Sequence, residues 1–547
     1  MKKLVSLLLC IVLCLTAMSF AAAEDGEAQK AAIYDVAPFA ENVTITVPVY
    51  DRSKQGYPAV DDNYWTKWVQ QNFGDKYNIT VKYIAIPRGD VMTKYSMLIS
   101  GDDTPTILME YDYPKVAQWA NDGAMAEISL DEFKAVAPTY YQAMVEHNQL
   151  AYTDINGKTY FVLSERPYYD TTYTYVTFCR MDWLRQVGYD HVPANYAEFC
   201  EAIQKIVDAG LTKQPLGRRL FDSAYAQNFA YRDIPVDETE WAIYSSLGTA
   251  SLSWEPTRRM LKRANDEYLK GWYSTEFELD ADGSQEKTDF INGVTFSYGN
   301  YMSADVDWLK AFYEKNPNAE LAIVSNYQGD EEGVFEAQIR ADNPFGMIVG
   351  FSSLATPDQL KAAWMYMEWL MQPENLFVME NGIQGVTYEL DADGLPVMLD
   401  YSGEEMLNHN NNIDMTCIIH ASKKRGTIEQ TIAAITPKGV PQDFTQAIID
   451  NFYALKGLSE AGKAYTDPIF AVAIEAESEN NGTLLSLWKE YSTKLIKAEE
   501  GQFDALYTEF CEKYLAAGYQ DILDERLEAF NAGNTTKLPE NIKNAVK

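Results

Sequence analysis

Apolar residues alternate with polar ones, or recur at helical spacing, through the first part of the chain. Period-two alternation predicts strands at Val43–Val49 and Ile79–Ile86, and a short apolar run predicts a third at Thr106–Met109. Between them, Asp61–Phe73 and Val91–Ile99 carry apolar side chains at helical spacing. The resulting order of strand, helix, strand, helix and strand is typical of a doubly wound α/β sheet.

Turn signals predict where the chain passes from a first lobe to a second. Asn156-Gly157 is a strong hairpin signal, and the aromatic-rich segment Ser164–Tyr175 follows it. A strand at Tyr175–Phe178 and a helix that begins near Met181 come next. We therefore expect Ser164–Tyr175 to cross between lobes and the following strand to begin the second lobe.

Two later strands are predicted to return to the first lobe. Phe290–Gly299 has the pattern of a helix end, a turn and a strand, and Leu321–Val324 that of a short strand. Asn343–Gly350 is then expected to cross back to the second lobe. Thr356 and Gln359 have the spacing of a capping box at the start of a helix there. Residues 440–530 are predicted to be mainly amphipathic helices.

The amino terminus has the pattern of a secretory signal peptide. Lys2–Lys3 is its charged region, Leu4–Met18 its apolar region and Ala21–Ala23 its small-residue cleavage site. The apolar run is too short to span a bilayer. Cys10 and Cys14 each follow a leucine, whereas lipidation sites have a small residue there. We expect an exported, soluble protein without a lipid anchor.

Net charge excludes two classes of partner. The chain carries 80 acidic and 45 basic residues, a formal charge of −35. This field repels phosphate backbones and anionic lipid headgroups, so nucleic acid and membrane surfaces are not expected partners. The four cysteines beyond the signal peptide form no CxxC pair, and either disulfides or free thiols fit them. These cysteines are Cys179, Cys200, Cys417 and Cys511.

Five separated segments together resemble the family 1 extracellular solute-binding proteins of ABC importers, the maltose-binding-protein-like group, and most of all its large LplA-type members. The segments are Asp62–Trp68, Ile99–Ile107, Asn156–Tyr160, Arg180–Leu184 and Asn381–Tyr388. The resemblance implies a two-lobed, type II periplasmic-binding-protein-like α/β fold whose lobes close on a ligand by hinge motion. It also implies a carbohydrate ligand of oligosaccharide size, delivery to the permease subunits of an ABC transporter, and a monomer without cofactor.

The domain boundaries expected on this basis are a signal peptide, a flexible leader, two discontinuous lobes and a tail. They are 1–23 for the signal peptide, 24–40 for the leader, 41–165 with 292–345 for the N-terminal lobe, 175–291 with 350–533 for the C-terminal lobe, and 534–547 for the tail.

Candidate ligand-binding residues follow strand ends or lie in the matching segments. The resemblance places Asp51 and Arg52 where the family contacts sugar hydroxyls. Glu110, Tyr111 and Asp112 combine carboxylates with a ring that could stack on a sugar. The remaining candidates are Glu165 and Arg166, which could instead pair with each other, Asn300 and Tyr301 after a strand, and Gln384 and Tyr388 in the last matching segment. Trp65 is expected to pack within the lobe.

No metal site or catalytic motif is predicted. The two Glu-Leu-Asp-Ala-Asp-Gly segments, 278–283 and 389–394, lack the glutamate that ends a calcium-binding loop and fit acidic turns. Motifs of zinc proteases, serine hydrolases, P-loop proteins and dinucleotide-binding proteins are missing from the sequence. A glycosidase needs only two carboxylates across a cleft, so it stays open as an alternative, as does a receptor for oligopeptides or another small solute.

Overall fold

The computed structural model describes residues 36–165, 175–218, 237–246, 249–280, 283–302, 306–324, 339–341, 343–420 and 426–540. The chain divides into two compact units. Unit 1 comprises residues 1–167 and 345–423, and unit 2 comprises 168–344 and 424–547. The passages at 167–168 and 344–345 fall within segments predicted to cross, but the second runs from unit 2 to unit 1, the reverse of the predicted direction, because the predicted return to the first lobe near residue 292 does not occur. A third passage, at 423–424, was not predicted. The signal peptide, most of the leader and Arg166 lie outside the described residues.

Strands and helices are numbered in chain order. The strands are β1 Val43–Asp51, β2 Ile79–Pro87, β3 Ile107–Glu110, β4 Asp154–Ile155, β5 Lys158–Thr159, β6 Phe161–Leu163, β7 Tyr175–Arg180, β8 Ser297–Tyr301, β9 Leu321–Val324, β10 Ile339–Arg340, β11 Ile348–Phe351, β12 Tyr388–Leu390, β13 Pro396–Met398 and β14 Ala464–Tyr465.

The helices are α1 Tyr64–Val69, α2 Asp75–Tyr77, α3 Val91–Ser100, α4 Tyr113–Asn121, α5 Leu130–Val136, α6 Pro138–Glu146, α7 Met181–Gln186, α8 Tyr196–Asp208, α9 Glu238–Tyr244, α10 Glu255–Leu269, α11 Ser284–Ile291, α12 Trp308–Lys315, α13 Pro357–Met371, α14 Pro373–Asn381, α15 His409–Thr416, α16 Ile428–Ile435, α17 Gln442–Glu460, α18 Glu475–Ile496, α19 Phe503–Tyr514 and α20 Gln520–Asn531.

Unit 1 is built around β1, β2, β3, β6 and β11. β1 pairs with β2 in parallel, and β11 pairs antiparallel with both β3 and β6. Hydroxyl groups join the two sets: the Thr46 amide donates to Thr106 Oγ1 at 3.1 Å, and the Thr106 amide donates to Thr46 Oγ1 at 2.7 Å. Helix α13 covers this sheet with a side that is buried almost throughout. The predicted α/β character of the first lobe is therefore present.

The central strand β11 requires glycine at position 350. A Cβ atom there would lie 2.7 Å from the Tyr160 carbonyl oxygen and 2.0 Å from the Met125 methyl group. Both approaches are closer than van der Waals contact, and the backbone oxygen cannot rotate away. Gly350 thus lets β11 pass close to its neighbours.

Local chemistry sets several element ends as the sequence predicted. Thr356 and Gln359 form a capping box at α13, and the Ser129 side chain accepts from the Glu132 amide at the start of α5. Asn156 and Gly157 both have positive φ angles, as the tight turn between β4 and β5 requires.

The prediction that the two later strands return to the first lobe was wrong. In unit 2, β7 lies between β8 and β9 and pairs antiparallel with both. The strands stay there because their side chains complete an aromatic core, in which Phe178 and Tyr298 pack against Trp308 at ring-centroid distances of 5.1 and 5.3 Å. Residues 345–423, predicted in large part for the second lobe, belong instead to unit 1.

The remainder of unit 2 is mainly helical, as predicted for residues 440–530, apart from the short parallel pair of β10 and β14. Helices α8, α10, α18, α19 and α20 share a second core, with Tyr491 and Phe510 stacked at 4.3 Å. Inside it, the Arg526 guanidinium pairs with Glu477, and the two side chains are 4% and 3% exposed. The start of the predicted tail is bound: the Thr536 amide donates to the Ile469 carbonyl at 3.0 Å, and Thr535 bridges to Phe470. The tail is therefore shorter than expected.

The four cysteines in the described part of the chain, Cys179, Cys200, Cys417 and Cys511, are free thiols. None of the described helices has both the length and the apolar character needed to cross a bilayer.

Candidate functional site

Several strands of unit 1 end at one edge of its sheet. The register of β1 and β2 places Asp51 opposite Pro87, so Arg52 and Arg88 follow neighbouring strand ends. The Tyr50 hydroxyl donates to Glu110 Oε2 at 2.5 Å, and the Thr46 amide donates to Thr106 Oγ1. Both pairs join residues 60 positions apart, so the two segments advance side by side in the same direction. β3 therefore runs in the direction of β1 and ends beside it.

The same edge continues on the other side of β11. Ile348, the first residue of β11, lies opposite both Glu110 and Leu163. β6 consequently ends at this edge as well, and Glu165 follows it. We call the strand-end segments 51–52, 87–88, 110–112 and 164–165 the carboxyl edge of unit 1. In open α/β sheets this is the edge where ligands bind.

Six of the predicted binding residues lie on the carboxyl edge. They are Asp51, Arg52, Glu110, Tyr111, Asp112 and Glu165. The sequence reasoning thus brought together residues separated by more than a hundred positions. Arg166 was predicted for the same place and lies outside the described residues.

Arg52 is fixed by a carboxylate that the sequence reasoning missed. Its Nε and Nη2 atoms donate to the two oxygens of Asp414, each at 2.8 Å. These hydrogen bonds raise the pKa of Arg52. Asp51 beside it accepts from the Ser53 amide at 2.7 Å. A bidentate pair holds the guanidinium in one orientation, so the directions of its remaining N–H groups are also fixed.

A cavity of about 190 Å³ opens at this end of β1. Its lining includes Asp51, Arg52, Tyr57, His409 and Asp414. The Tyr57 and His409 rings meet edge to face at 5.7 Å. The wall therefore offers charged donors, carboxylate acceptors and an aromatic surface within one small space.

A second cavity, of about 210 Å³, shares Tyr57 and Asn408 with the first. Its wall includes a left-handed turn in which Asn410, Asn411 and Asn412 have φ angles of 49°, 58° and 61°. Asparagine tolerates this conformation better than most residues. The Asn412 side chain stabilises the turn, because its Oδ1 accepts from the Asn408 amide at 2.7 Å and its Nδ2 donates to the Met379 carbonyl at 2.8 Å.

Behind the edge, a buried pair supports the exposed groups. Tyr50 is fully buried and donates to Glu110, which is 4% exposed. Burial, and then the Glu110 charge, raise the pKa of Tyr50 well above its ordinary value. The Arg88 guanidinium carbon lies 4.9 Å from the centroid of the Tyr50 ring and 5.9 Å from that of Tyr111. Glu110 is thus a support of the site rather than an exposed acceptor.

Glu165 meets a histidine. Its Oε2 lies 3.9 Å from Nδ1 of the buried His420, whose Nε2 lies 3.5 Å from Glu380 Oε1. The Glu165 amide also donates to the Ile419 carbonyl at 3.0 Å. Residues Ile419 and His420 therefore contact the end of β6 through Glu165.

Four other candidates are not part of the carboxyl edge as defined here: Gln384 and Tyr388 belong to unit 1, and Asn300 and Tyr301 belong to unit 2. Gln384 is exposed, whereas Tyr388 is 7% exposed and packs edge to face on Phe377 at 5.7 Å. In unit 2, Asn300 is buried and its Oδ1 accepts from the Tyr301 amide at 2.8 Å. Tyr301 is 42% exposed at the end of β8, so its ring is accessible to a ligand. Trp65 packs inside unit 1 as expected and donates to the Met406 carbonyl at 3.1 Å.

Residues 58–376 match the profile of the bacterial extracellular solute-binding protein family. The chain belongs to this family. The recognition made from the short segments is confirmed. A comparison with curated proteins found no significant match.

Solved structures of solute-binding proteins resemble this chain over nearly its whole length. Alginate-binding protein AlgQ2 without calcium ion aligns with a TM-score of 0.61 at 14% identity, covering 90% of this chain and 99% of that one. An HMO-binding, ABC-transporter-associated solute-binding protein from Bifidobacterium longum infantis aligns with a TM-score of 0.59 at 12% identity, covering 90% of this chain and 99% of that one. The FusA substrate-binding protein of S. pneumoniae, solved with kestose, aligns with a TM-score of 0.59 at 11% identity, covering 90% of this chain and 99% of that one. These similarities confirm the two-lobed α/β fold.

Sequence reasoning missed four residues of this solute-binding protein's candidate site. They are Tyr57, Arg88, His409 and Asp414. His409 directly precedes the asparagine run Asn410–Asn412, and Asp414 follows it two residues later. Such a run favours a left-handed turn and could have indicated this segment from the sequence. Among the described residues, no group of three or more His, Cys, Asp or Glu side chains is placed to hold a metal ion.

Proposed function

We propose that this solute-binding protein is the exported receptor of an ABC importer and binds a carbohydrate of oligosaccharide size at the carboxyl edge of unit 1. Closure of the lobes on the ligand and delivery to membrane permease subunits are part of the proposal. So are a monomeric state, a non-catalytic role and the absence of a lipid anchor. Asp51, Arg52, Tyr57, Glu165 and Tyr301 are the residues assigned to ligand contact.

The observation that carries this proposal is the composition of the carboxyl edge. Sugar hydroxyls both donate and accept, so they are held best by charged acceptors and donors side by side, and sugar C–H faces pack on aromatic rings. Asp51 and the oriented Arg52 guanidinium supply the polar groups, and Tyr57 supplies a ring in the same cavity wall. Three of the similar proteins support the ligand class, since one is an alginate-binding protein, one binds HMO and one was solved with kestose.

Binding by the mature chain tests the proposal. Melting temperature is measured with neutral oligosaccharides, acidic oligosaccharides and short peptides, each at several concentrations. A ligand at a hundred times its Kd stabilises the folded state by about 2.7 kcal/mol, which gives a concentration-dependent rise. Stabilisation by peptides alone, or by no saccharide, contradicts the carbohydrate assignment.

A matched pair of variants locates the site. Asp51→Asn should weaken the best saccharide by about tenfold or more, because a charged hydrogen bond is lost. Asp208→Asn removes the same charge from an exposed position at the end of α8 in unit 2, and should bind as the natural chain does. Equal affinities for the two variants contradict the assignment of Asp51. Chromatography of the incubated saccharide should show it uncut; shortened products would establish a hydrolase.

A further inference from the structure

Arg88 has no carboxylate partner among the described residues of this strongly acidic protein. It follows β2 on the carboxyl edge and is half-buried. Its recorded interactions are with the faces of two rings, Tyr50 at 4.9 Å and Tyr111 at 5.9 Å. Within the part of the chain that the structure describes, no ion pair or hydrogen bond joins its guanidinium to an acceptor. With 80 acidic residues against 45 basic ones, a partner would be easy to supply.

The four carboxylates of the same edge have other partners, and Glu165 lies 3.9 Å from His420 Nδ1. Asp51 accepts from the Ser53 amide at 2.7 Å, Glu110 from the Tyr50 hydroxyl at 2.5 Å and Asp112 from the Lys115 amide at 3.2 Å. The other arginine of the edge, Arg52, is neutralised by Asp414. Arg88 is therefore the guanidinium of this edge whose charge the described side chains leave unmatched.

The rings beneath Arg88 hold it in place without using its N–H groups. A guanidinium over an aromatic face gains about 0.5–2 kcal/mol. The Glu110 carboxylate at the Tyr50 hydroxyl adds negative potential beneath the ring face, which strengthens this attraction. Face contact leaves the planar donor fork at the rim of the guanidinium available, and that fork matches the two oxygens of a carboxylate.

We propose that Arg88 binds an anionic group of the ligand, so that the transported carbohydrate is an acidic oligosaccharide. This inference rests on the proposed function and narrows its ligand class. A uronic acid carboxylate fits the planar fork, and a sulfate ester presents the same chemistry of adjacent anionic oxygens. The two sources are separated by experiment.

Calorimetric titration of the mature chain tests the inference with defined trisaccharides. The probes are tri-uronates of galacturonate, glucuronate and mannuronate, their methyl esters, which keep the shape without the charge, and sulfated neutral trisaccharides. The natural chain should bind one acid form about 10- to 100-fold more tightly than its uncharged counterpart. Arg88→Gln should abolish that preference, and Arg88→Lys should restore part of it because the charge returns without the fork.

Lys82→Gln is the matched control, since Lys82 is an exposed cation in the middle of the same strand, β2. It should keep the acid preference, which excludes a general effect of net charge. A preference for sulfated over carboxylated probes that is lost in Arg88→Gln assigns the sulfate source.

Three results overturn the inference. The first is an Arg88→Gln variant that keeps the acid preference, and the second is a natural chain that binds neutral sugars as tightly as acid ones. The third is an equal loss of acid and neutral binding in Arg88→Gln, which would mean that Arg88 acts only by covering Tyr50. Neutral sugar binding without acid preference leaves the proposed function intact, whereas binding of no saccharide overturns both.

Discussion

Unit 1 and unit 2 each contain an arginine held by a carboxylate, in different surroundings. In unit 1, Arg52 and Asp414 lie at the wall of a cavity with side-chain exposures of 31% and 8%. In unit 2, Arg526 and Glu477 lie between helices α20 and α18 with exposures of 4% and 3%. Arg526 also donates to the Ile243 carbonyl at 3.1 Å, which ties α9 to the pair.

The two arginine–carboxylate pairs differ in solvent exposure, and this difference indicates different roles. Both ions of the unit 2 pair have lost their water, so each depends on the other and neither can meet a ligand. The unit 1 pair keeps part of its hydration and gains little stability, but it fixes the direction of donors that face a cavity. We infer that the unit 2 pair serves the fold, and we propose that the unit 1 pair serves the candidate ligand site.

The largest expected effect is on the buried pair. Glu477→Gln leaves a buried guanidinium without a counter-charge and should lower the free energy of unfolding of unit 2 by about 3–5 kcal/mol. Urea denaturation measures the loss, and hydrogen exchange should show it in α18 and α20. The double variant Glu477→Leu with Arg526→Met replaces both ions with apolar groups and should recover much of the stability. A single variant as stable as the natural chain contradicts the structural role.

An intermediate effect is expected at the support of the carboxyl edge. Tyr50→Phe removes the donor to the buried Glu110 and should cost about 1–3 kcal/mol in unit 1. Tyr453→Phe, at an exposed hydroxyl that donates to Glu429, is the control and should change stability by less than about 0.5 kcal/mol. Equal losses in the two variants would show that Tyr50 does not support Glu110.

The same variant has a pH signature. Because the pKa of Tyr50 is raised by burial, the folded chain keeps this proton while the unfolded chain releases it near pH 10. Its contribution to stability is therefore full below about pH 10 and falls as the pH rises toward the folded pKa. Tyr50→Phe should make the fall in stability above pH 10 shallower by up to about 1.4 kcal/mol per pH unit. Urea midpoints at pH 9 to 11 measure it.

The smallest expected effect is on the stability of the unit 1 pair. Asp414→Asn should lower the free energy of unfolding by about 1 kcal/mol or less, because Arg52 remains partly hydrated. Hydrogen exchange should nevertheless increase near residues 51–54 and 409–416. Asp208→Asn, with the same change of charge at an exposed site, is the control. A loss comparable to that of Glu477→Gln would remove the distinction between the two pairs.

Features that depend on neighbouring residues could be predicted from the sequence. The Thr356 capping box and the Asn156-Gly157 turn each need chemistry within four positions, and both are present. Six candidate residues also came together at the carboxyl edge, because β1, β2, β3 and β6 run in the same direction and end at one side. Asn300 and Tyr301 were expected to follow a strand and are instead the last two residues of β8, with Tyr301 exposed at its end.

Features that depend on distant residues could not be predicted. The partner of Arg52 is 362 positions away, and no local pattern distinguishes Asp414 from other acidic residues. β8 and β9 were assigned to the wrong lobe because the sequence of a short apolar strand does not indicate which sheet the strand joins. Arg88 was overlooked because its role follows from the two rings beneath it, which lie on β1 and beyond β3.

The position of β11 has a consequence for biosynthesis. This strand supplies the backbone hydrogen bonds between β3 and β6, yet it is made about 185 residues after β6. A nascent chain must therefore keep both strands unpaired while the whole central part of unit 2 is synthesised. Until residue 351 emerges, those open strand edges are exposed to pairing with other chains, and this is the interval in which a chaperone protects the chain most.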